Sequence, residues 1–316
     1  MEGPVEPRTA STCPERLAGG SVPGVDNRRE ISDFLTSRRA RVRPEDTGLP
    51  GHDQRRRVAG LKREEVALLA GVSVDYYARL ERGHLAGVSE PVLDAIADAL
   101  RLDEAERRHL RDLADAAAAP ERKLRTRTRP DPPLRASIRA LLAGMTGVPA
   151  YVRNARMDIL AANDLCLALY DGILQPDAPF NLARFVFLDG RSHGFFLDWD
   201  EVADGTVGSL RSEAGRNPLD KPLTDLIGEL TARSHPFATK WAQHDVRLHR
   251  TATKRLHNTI VGDLELTGDA LELTGDHLTL IAYTAEPGSA AEEQLKLLAS
   301  WQTTTQTTSD SGKASR

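Results

Sequence analysis

Two short helical patterns meet at Gly71 in the stretch Lys62–Gly83, KREEVALLAGVSVDYYARLERG, and their spacing restricts the fold of this chain more than any other feature. Val66, Leu69 and Ala70 recur at helical spacing, and Gly71 then supplies a residue able to take the left-handed conformation that ends a helix. Ser73 stands where an N-cap belongs, its hydroxyl placed to accept from an amide two or three residues on, and Asp75 puts a carboxylate in the first turn. The second helix turns Tyr77 and Leu80 inward and leaves Val74, Asp75, Tyr76 and Arg79 outward, with Arg82 beyond them. Such a mixture of apolar, aromatic and cationic groups suits phosphates and base edges. The pattern predicts a helix-turn-helix. A buried αα-hairpin is the plain alternative, and the outward arginines weigh against it.

A chain of 316 residues is long enough for two domains that each bury a core. The net charge of −4 excludes a uniformly basic coat, yet the charge is uneven. Residues 38–63 carry nine Lys or Arg against Glu45, Asp46 and Asp53, whereas residues 134–301 hold more acids than bases, so the front is locally basic. Cys13 and Cys166 are too few for a disulfide framework or a thiolate metal cluster, which fits a reducing cytoplasm. No apolar run approaches the ~18 residues that span a bilayer, and the N-terminus lacks a signal-peptide core. A soluble cytoplasmic protein with no membrane partner, cofactor or metal is expected.

Residues 1–27 are poor in apolar side chains and are expected to form a disordered arm. From residue 28, Ile31, Phe34 and Leu35 begin the first helix, which Pro44 stops. A loop then leads into Arg55, Arg56 and Arg57, a run whose position before the helix-turn-helix favours contact with phosphate, a solvated loop being the alternative. Ser89 with Pro91, and Asp103, mark two further helix starts. Residues 28–119 therefore read as an all-α domain of about five helices. Residues 120–133, PERKLRTRTRPDPP, form a basic linker. Residues 134–301 mix periods: helical near Ile138 and between Phe180 and Trp241, strand-like around Asn154, with Asn163 capping a helix that carries Leu165 and Leu169, and alternating from about Val246, with the TGD triplets expected at turns. Residues 302–316, rich in Thr and Ser, are expected to be a disordered tail.

The run LKREEVA followed by AGVSVDYYARLERG resembles the XRE class of helix-turn-helix regulators, and the likeness extends over residues 28–119. It implies that Val74–Arg82 is a recognition helix entering the major groove of double-stranded DNA, with Val74, Asp75 and Arg79 at base-reading positions and Arg63, Tyr76 and Arg82 on phosphates. Lys62 stands where many relatives carry a capping Thr or Ser. A helix this short reads half an operator, so a homodimer on an inverted repeat is expected.

PAYVRNARMDILAAN, NLARFVF, GELTARSHPFATKWAQHDV, TKRLHNTIVGDLEL and YTAEPGS resemble the MmyB-like ligand-binding domain. That resemblance implies an α+β, PAS-like fold, a small antiparallel sheet with helices over one face, and a pocket for a small, largely apolar, fatty-acid-like ligand. The residues expected near the pocket are Tyr151, Leu165, Leu169, Phe185 and Phe187. Phe195, Phe196, Trp199 and Trp241 join them. Asn163, Arg184, His244 and Arg247 are the polar candidates for orienting a head group. All of these serve equally as ordinary core or structural residues. His193, His235, His244, His249 and His257 lack partners at useful spacing, and HExxH, GxSxG and a glycine-rich phosphate loop are absent, so no enzyme is expected. A DNA-binding protein whose second domain serves only dimerisation is the competing reading. In a sensor, the linker is expected to pass ligand binding to the DNA-binding half through dimer geometry, weakening it.

Overall fold

The computed structural model describes residues 27–49, 60–119, 134–175, 178–243, 251–274 and 278–313, with side chains as far as Trp301. The expected arm before Asn27, the arginine run Arg55–Arg57, the linker 120–133, His244 and Arg247 lie outside the described residues.

The N-terminal half is five helices: α1 Asn27–Arg41, α2 Arg63–Leu69, α3 Val74–Glu81, α4 Glu90–Ala99 and α5 Glu104–Ala118, with Pro44 opening a single 3₁₀ turn after α1. Ile31, Phe34, Leu35, Val66, Tyr77, Leu80, Ile96 and Leu113 share one apolar core. Each such side chain stabilises by about 1.5–3 kcal/mol on burial. α2 ends in a Schellman motif: Gly71 has φ +65°, its amide donates to the Leu68 carbonyl at 3.3 Å and the Val72 amide to that of Ala67 at 2.9 Å. Ser73 Oγ accepts from the Tyr76 amide at 3.2 Å and so starts α3. Lys62 caps α2 one-sidedly, because an ammonium has no lone pair to offer; instead Glu65 reaches back and accepts from the Lys62 amide at 2.6 Å. Asp103 and Glu106 form a complete capping box on α5.

In the C-terminal half, α6 (Ala136–Gly144) precedes strands β1 (Ala150–Arg153) and β2 (Asp158–Ala162), helix α7 (Asp164–Leu169) and the short β3 (Phe180–Asn181). Five helices follow or flank the rest: α8 (Leu182–Leu188), α9 (Ser192–Phe195), α10 (Trp199–Arg216), α11 (Lys221–Arg233) and α12 (His235–Ala242). Strands β4 (Thr251–Asn258), β5 (Gly262–Leu273) and β6 (Leu278–Thr284) lead to α13 (Ala290–Lys313). The sheet is antiparallel in the order β3-β2-β1-β6-β5-β4. Alternation along β1 and β6 separates its faces: Tyr151, Ile281 and Tyr283 join the large core under helices α7 to α13, while Val152, Leu280 and Ala282 meet Ile138 and Leu142 of α6. Helices thus cover both faces, where the resemblance implied one.

Two local expectations need correction. The first TGD triplet, Thr267–Asp269, is not a turn but lies inside β5, where Gly268 pairs with Tyr283 and a Cβ would come within 3.0 Å of that ring. The reversal between β4 and β5 falls instead at Thr259–Val261, before Gly262 with φ +80°. The last helix, anchored by Leu295 and Leu298, continues to Lys313 through residues whose composition predicts no structure; a helix once nucleated extends at little cost per residue.

The two halves dock directly, α5 on α10. Gly215 permits the approach, since a Cβ there would lie 2.7 Å from His109 Cε1. Arg216 Nε bonds Asp112 at 2.8 Å. Arg211, wholly buried, pairs with Glu30 of α1, donates to the Trp241 carbonyl, and lies 4.1 Å over the Trp241 ring, while His109 Nε2 stands 3.9 Å from Glu30.

Candidate DNA interface and ligand site

One face of α3 is fixed and the other is free to meet a partner. Tyr77 and Leu80 are buried, whereas Val74 is 47% exposed and Asp75, Arg79 and Arg82 are exposed. The Arg79 guanidinium rests 5.1 Å over the Tyr76 ring, which limits its rotamers and aims it outward. Arg63, at the start of α2, gives its Nε to Glu81 and keeps 55% of its side chain exposed. Glu81 was not singled out by the sequence reading, and it sets the angle of α3. Its buried carboxylate also accepts from Arg39 Nε at 2.6 Å, so one acid ties α1, α2 and α3 together. The signal was available, since Glu81 lies four residues after Tyr77 on the same helical face.

In the C-terminal half, Tyr151, Leu165, Leu169, Phe185 and Phe187 belong to one continuous core, with Trp199 and Trp241 packed against it. Phe187 meets Trp199 at 5.8 Å and Phe237 at 5.0 Å, and Phe237 stacks on Trp241 at 5.6 Å, so a chain of rings runs from the core to the Arg211 contact. Asn163 has its full hydrogen-bonding capacity occupied: Oδ1 accepts from the Ala150 and Cys166 amides, and Nδ2 donates to the Met145 and Val148 carbonyls. Arg184 lies at the surface and pairs with Glu229 at 2.8 Å. The structure therefore gives both residues local partners.

Other polar groups stand on the inner sheet face. Arg153 shares that face with Tyr151, Lys254 with Leu256, and Tyr283 with Ile281. Lys254 Nζ lies 5.6 Å from the Tyr283 ring centre, and the Tyr170 and Tyr283 hydroxyls are 3.3 Å apart. Lost hydration, reinforced by the Arg153 cation, pushes Lys254 down to about 8; lost hydration also lowers Arg153, against the opposing pull of Tyr151 and Glu213. Burial raises all three tyrosines, Tyr151, Tyr170 and Tyr283, which keeps their hydroxyls protonated. The sequence carried the signal in the alternation of AYVR, TATKRL and LIAYT, but long cations at sheet positions read as solvent-facing until the pleat is placed.

A helix-turn-helix joined to an α+β ligand-binding domain defines a ligand-responsive transcription regulator. Residues 53–110 match the helix-turn-helix domain family. Residues 134–298 match the MmyB-like transcription regulator ligand binding domain, and since this is more than half of the chain, the protein belongs to that family. Both families are regulatory. No curated protein matches the chain. Among the described residues no helix is long and apolar enough to cross a membrane.

Proposed function

We propose that the protein binds an inverted-repeat operator as a homodimer and releases it when a small molecule occupies the C-terminal domain. The observation that carries the first part is the outward face of α3, on which Val74, Asp75 and Arg79 stand exposed while Glu81 holds the helix from behind. Val74, Asp75 and Arg79 read bases. Arg63, Tyr76 and Arg82 meet phosphates, joined by Arg55, Arg56 and Arg57. Half-site centres lie about 34 Å apart or a multiple of that. Footprinting is expected to show two protected half-sites, and monomeric or sequence-indifferent protection would contradict it. Arg79→Ala is expected to cost about 1–3 kcal/mol at one base pair while leaving affinity for DNA already altered at that pair unchanged. Equal weakening on every sequence would instead place Arg79 on the backbone.

The sensing part is supported by α10, which belongs to both halves of the problem. Val202, Ala203, Val207 and Leu210 enter the core of the ligand-binding domain, and Arg211, Gly215 and Arg216 touch α1 and α5. A ligand, small and with a large apolar part, acts by its differential affinity for arrangements that do and do not fit the operator. Direct docking supplies a shorter path than the linker route the sequence led us to expect. A coupling of about 1–3 kcal/mol, roughly 5- to 150-fold in DNA affinity, is typical of such devices.

A further inference from the structure

We infer that Asp75 selects a cytosine in each operator half-site, its carboxylate accepting from the N4 amine close to the guanine bound by Arg79, and that it repels sequences presenting only acceptors there. The inference rests on the reading of α3 as the helix that enters the groove, and it names the base that the middle of this surface requires.

Asp75, Ala78, Arg79 and Arg82 recur at intervals of three and four, so they share one stripe of α3, opposite the buried Tyr77, Leu80 and Glu81. An acid in that stripe opposes phosphate, and it needs a partner on the DNA to be tolerated. The other acids nearby are matched by cations within the protein: Glu81 holds Arg39 and Arg63, and Glu64 stands 3.7 Å from Lys62. Asp75 is exposed, and Arg79, one turn on and placed for an ion pair with it, lies over the Tyr76 ring instead. Among the described residues no ion pair or hydrogen bond engages the Asp75 carboxylate. Nor is it needed as a cap, because Ser73 Oγ already accepts from the Tyr76 amide at 3.2 Å. An ionised carboxylate accepts and does not donate. In the major groove guanine and thymine present acceptors, whereas cytosine N4 and adenine N6 are donors. Adenine sets its N7 acceptor beside N6, which repels a carboxylate, while cytosine has only a C–H on that flank, so cytosine is the better partner. One helical turn advances about 5.4 Å and stacked bases about 3.4 Å, so Asp75 and Arg79 address base pairs no more than about two apart. Ala78 puts only a methyl between them, which leaves both longer side chains access to the base edges.

Competition binding of the full-length protein at fixed salt, against operators carrying each of the four base pairs at every half-site position, tests this. The parent is expected to prefer cytosine at one position by about tenfold over guanine or thymine. Asp75→Asn is expected to move the preference at that position, and at no other, to adenine, because a carboxamide bonds adenine N6 and N7 together. Asp75→Ala should level the four bases there and bind unrelated DNA about two- to fivefold tighter, since a charge repelled by phosphate has gone. Both variants should melt within a few degrees of the parent, because the only other service of Asp75 to α3 is at the positive end of its dipole. A residue acting through the dipole alone would leave base preference where it was. Identical preferences in the parent and the Asp75→Asn protein would therefore overturn the inference and leave α3 as the reading helix. A parent that prefers a base other than cytosine at the position altered by Asp75→Asn would overturn it as well. A parent with no base preference at any position would overturn both the inference and the reading beneath it.

Discussion

Arg211→Ala is expected to lower the unfolding free energy by about 3–5 kcal/mol, the usual cost of removing one partner of a buried ion pair. Arg211 is wholly buried, and its loss leaves the Glu30 carboxylate in the joint between α1, α5 and α10 and strips the Trp241 ring of its cation. Thermal unfolding measures the loss, and a red shift of tryptophan emission reports the opening at Trp241. Replacing both partners, as Glu30→Gln with Arg211→Met, should recover most of the stability, because no unpaired charge remains. The same joint carries a pH dependence. Lost hydration acts to raise the Glu30 carboxyl, but His109 and Arg211 outweigh it and hold the group at about 2. A folded-state value below the unfolded one means that this stabilisation is complete above about pH 4.5 and is lost as pH falls towards 2. The Glu30→Gln protein should lack that part of the acid sensitivity. A single Arg211→Ala protein as stable as the parent would show that the joint is not closed in solution.

Gly83→Ala is expected to cost about 2–5 kcal/mol and to abolish operator binding. At φ +92° an L side chain pays the left-handed penalty, about 1–2 kcal/mol, and here the new Cβ would also stand 2.5 Å from the Arg28 carbonyl oxygen and 2.8 Å from its Cα. Backbone on both sides leaves nothing flexible to give way, so α3 must shift against α1. Gly71→Ala is the internal control: φ is also positive, at +65°, but nothing lies within 4 Å of the new atom, and the cost should stop at the conformational penalty. Comparing the two melting temperatures separates strain from collision. Equal losses would mean that the contact with Arg28 is not tight.

The helix-turn-helix was legible because its determinants are local. Gly71, Ser73 and the inward spacing of Tyr77 and Leu80 are read within one turn of helix, and the structure uses each as expected. The α+β character of the second half was equally readable from the change of period. What escaped were features made by residues far apart in sequence. Glu81 looks like any charged helical residue until Arg39 and Arg63 arrive from other helices. Arg211 and Glu30 lie 181 residues apart, and nothing local marks either as buried. Gly268 was assigned to a turn because glycine beside Asp usually signals one, whereas its lack of a side chain serves the ring of Tyr283 on the next strand. Asn163 caps α7 as its place ahead of Leu165 and Leu169 predicts; what escaped is that its amide also clasps the chain after α6, at the Met145 and Val148 carbonyls.

The most direct test is to measure the affinity of the full-length protein for its footprinted operator at one fixed salt concentration, with and without dodecanoate, a probe of the expected fatty-acid-like class, at a level that calorimetry shows to be saturating. Salt must stay constant because phosphate contacts alone shift such affinities strongly. Binding is expected to weaken roughly 5- to 150-fold with ligand present. An operator affinity unchanged by a saturating ligand would contradict the coupling of the two halves.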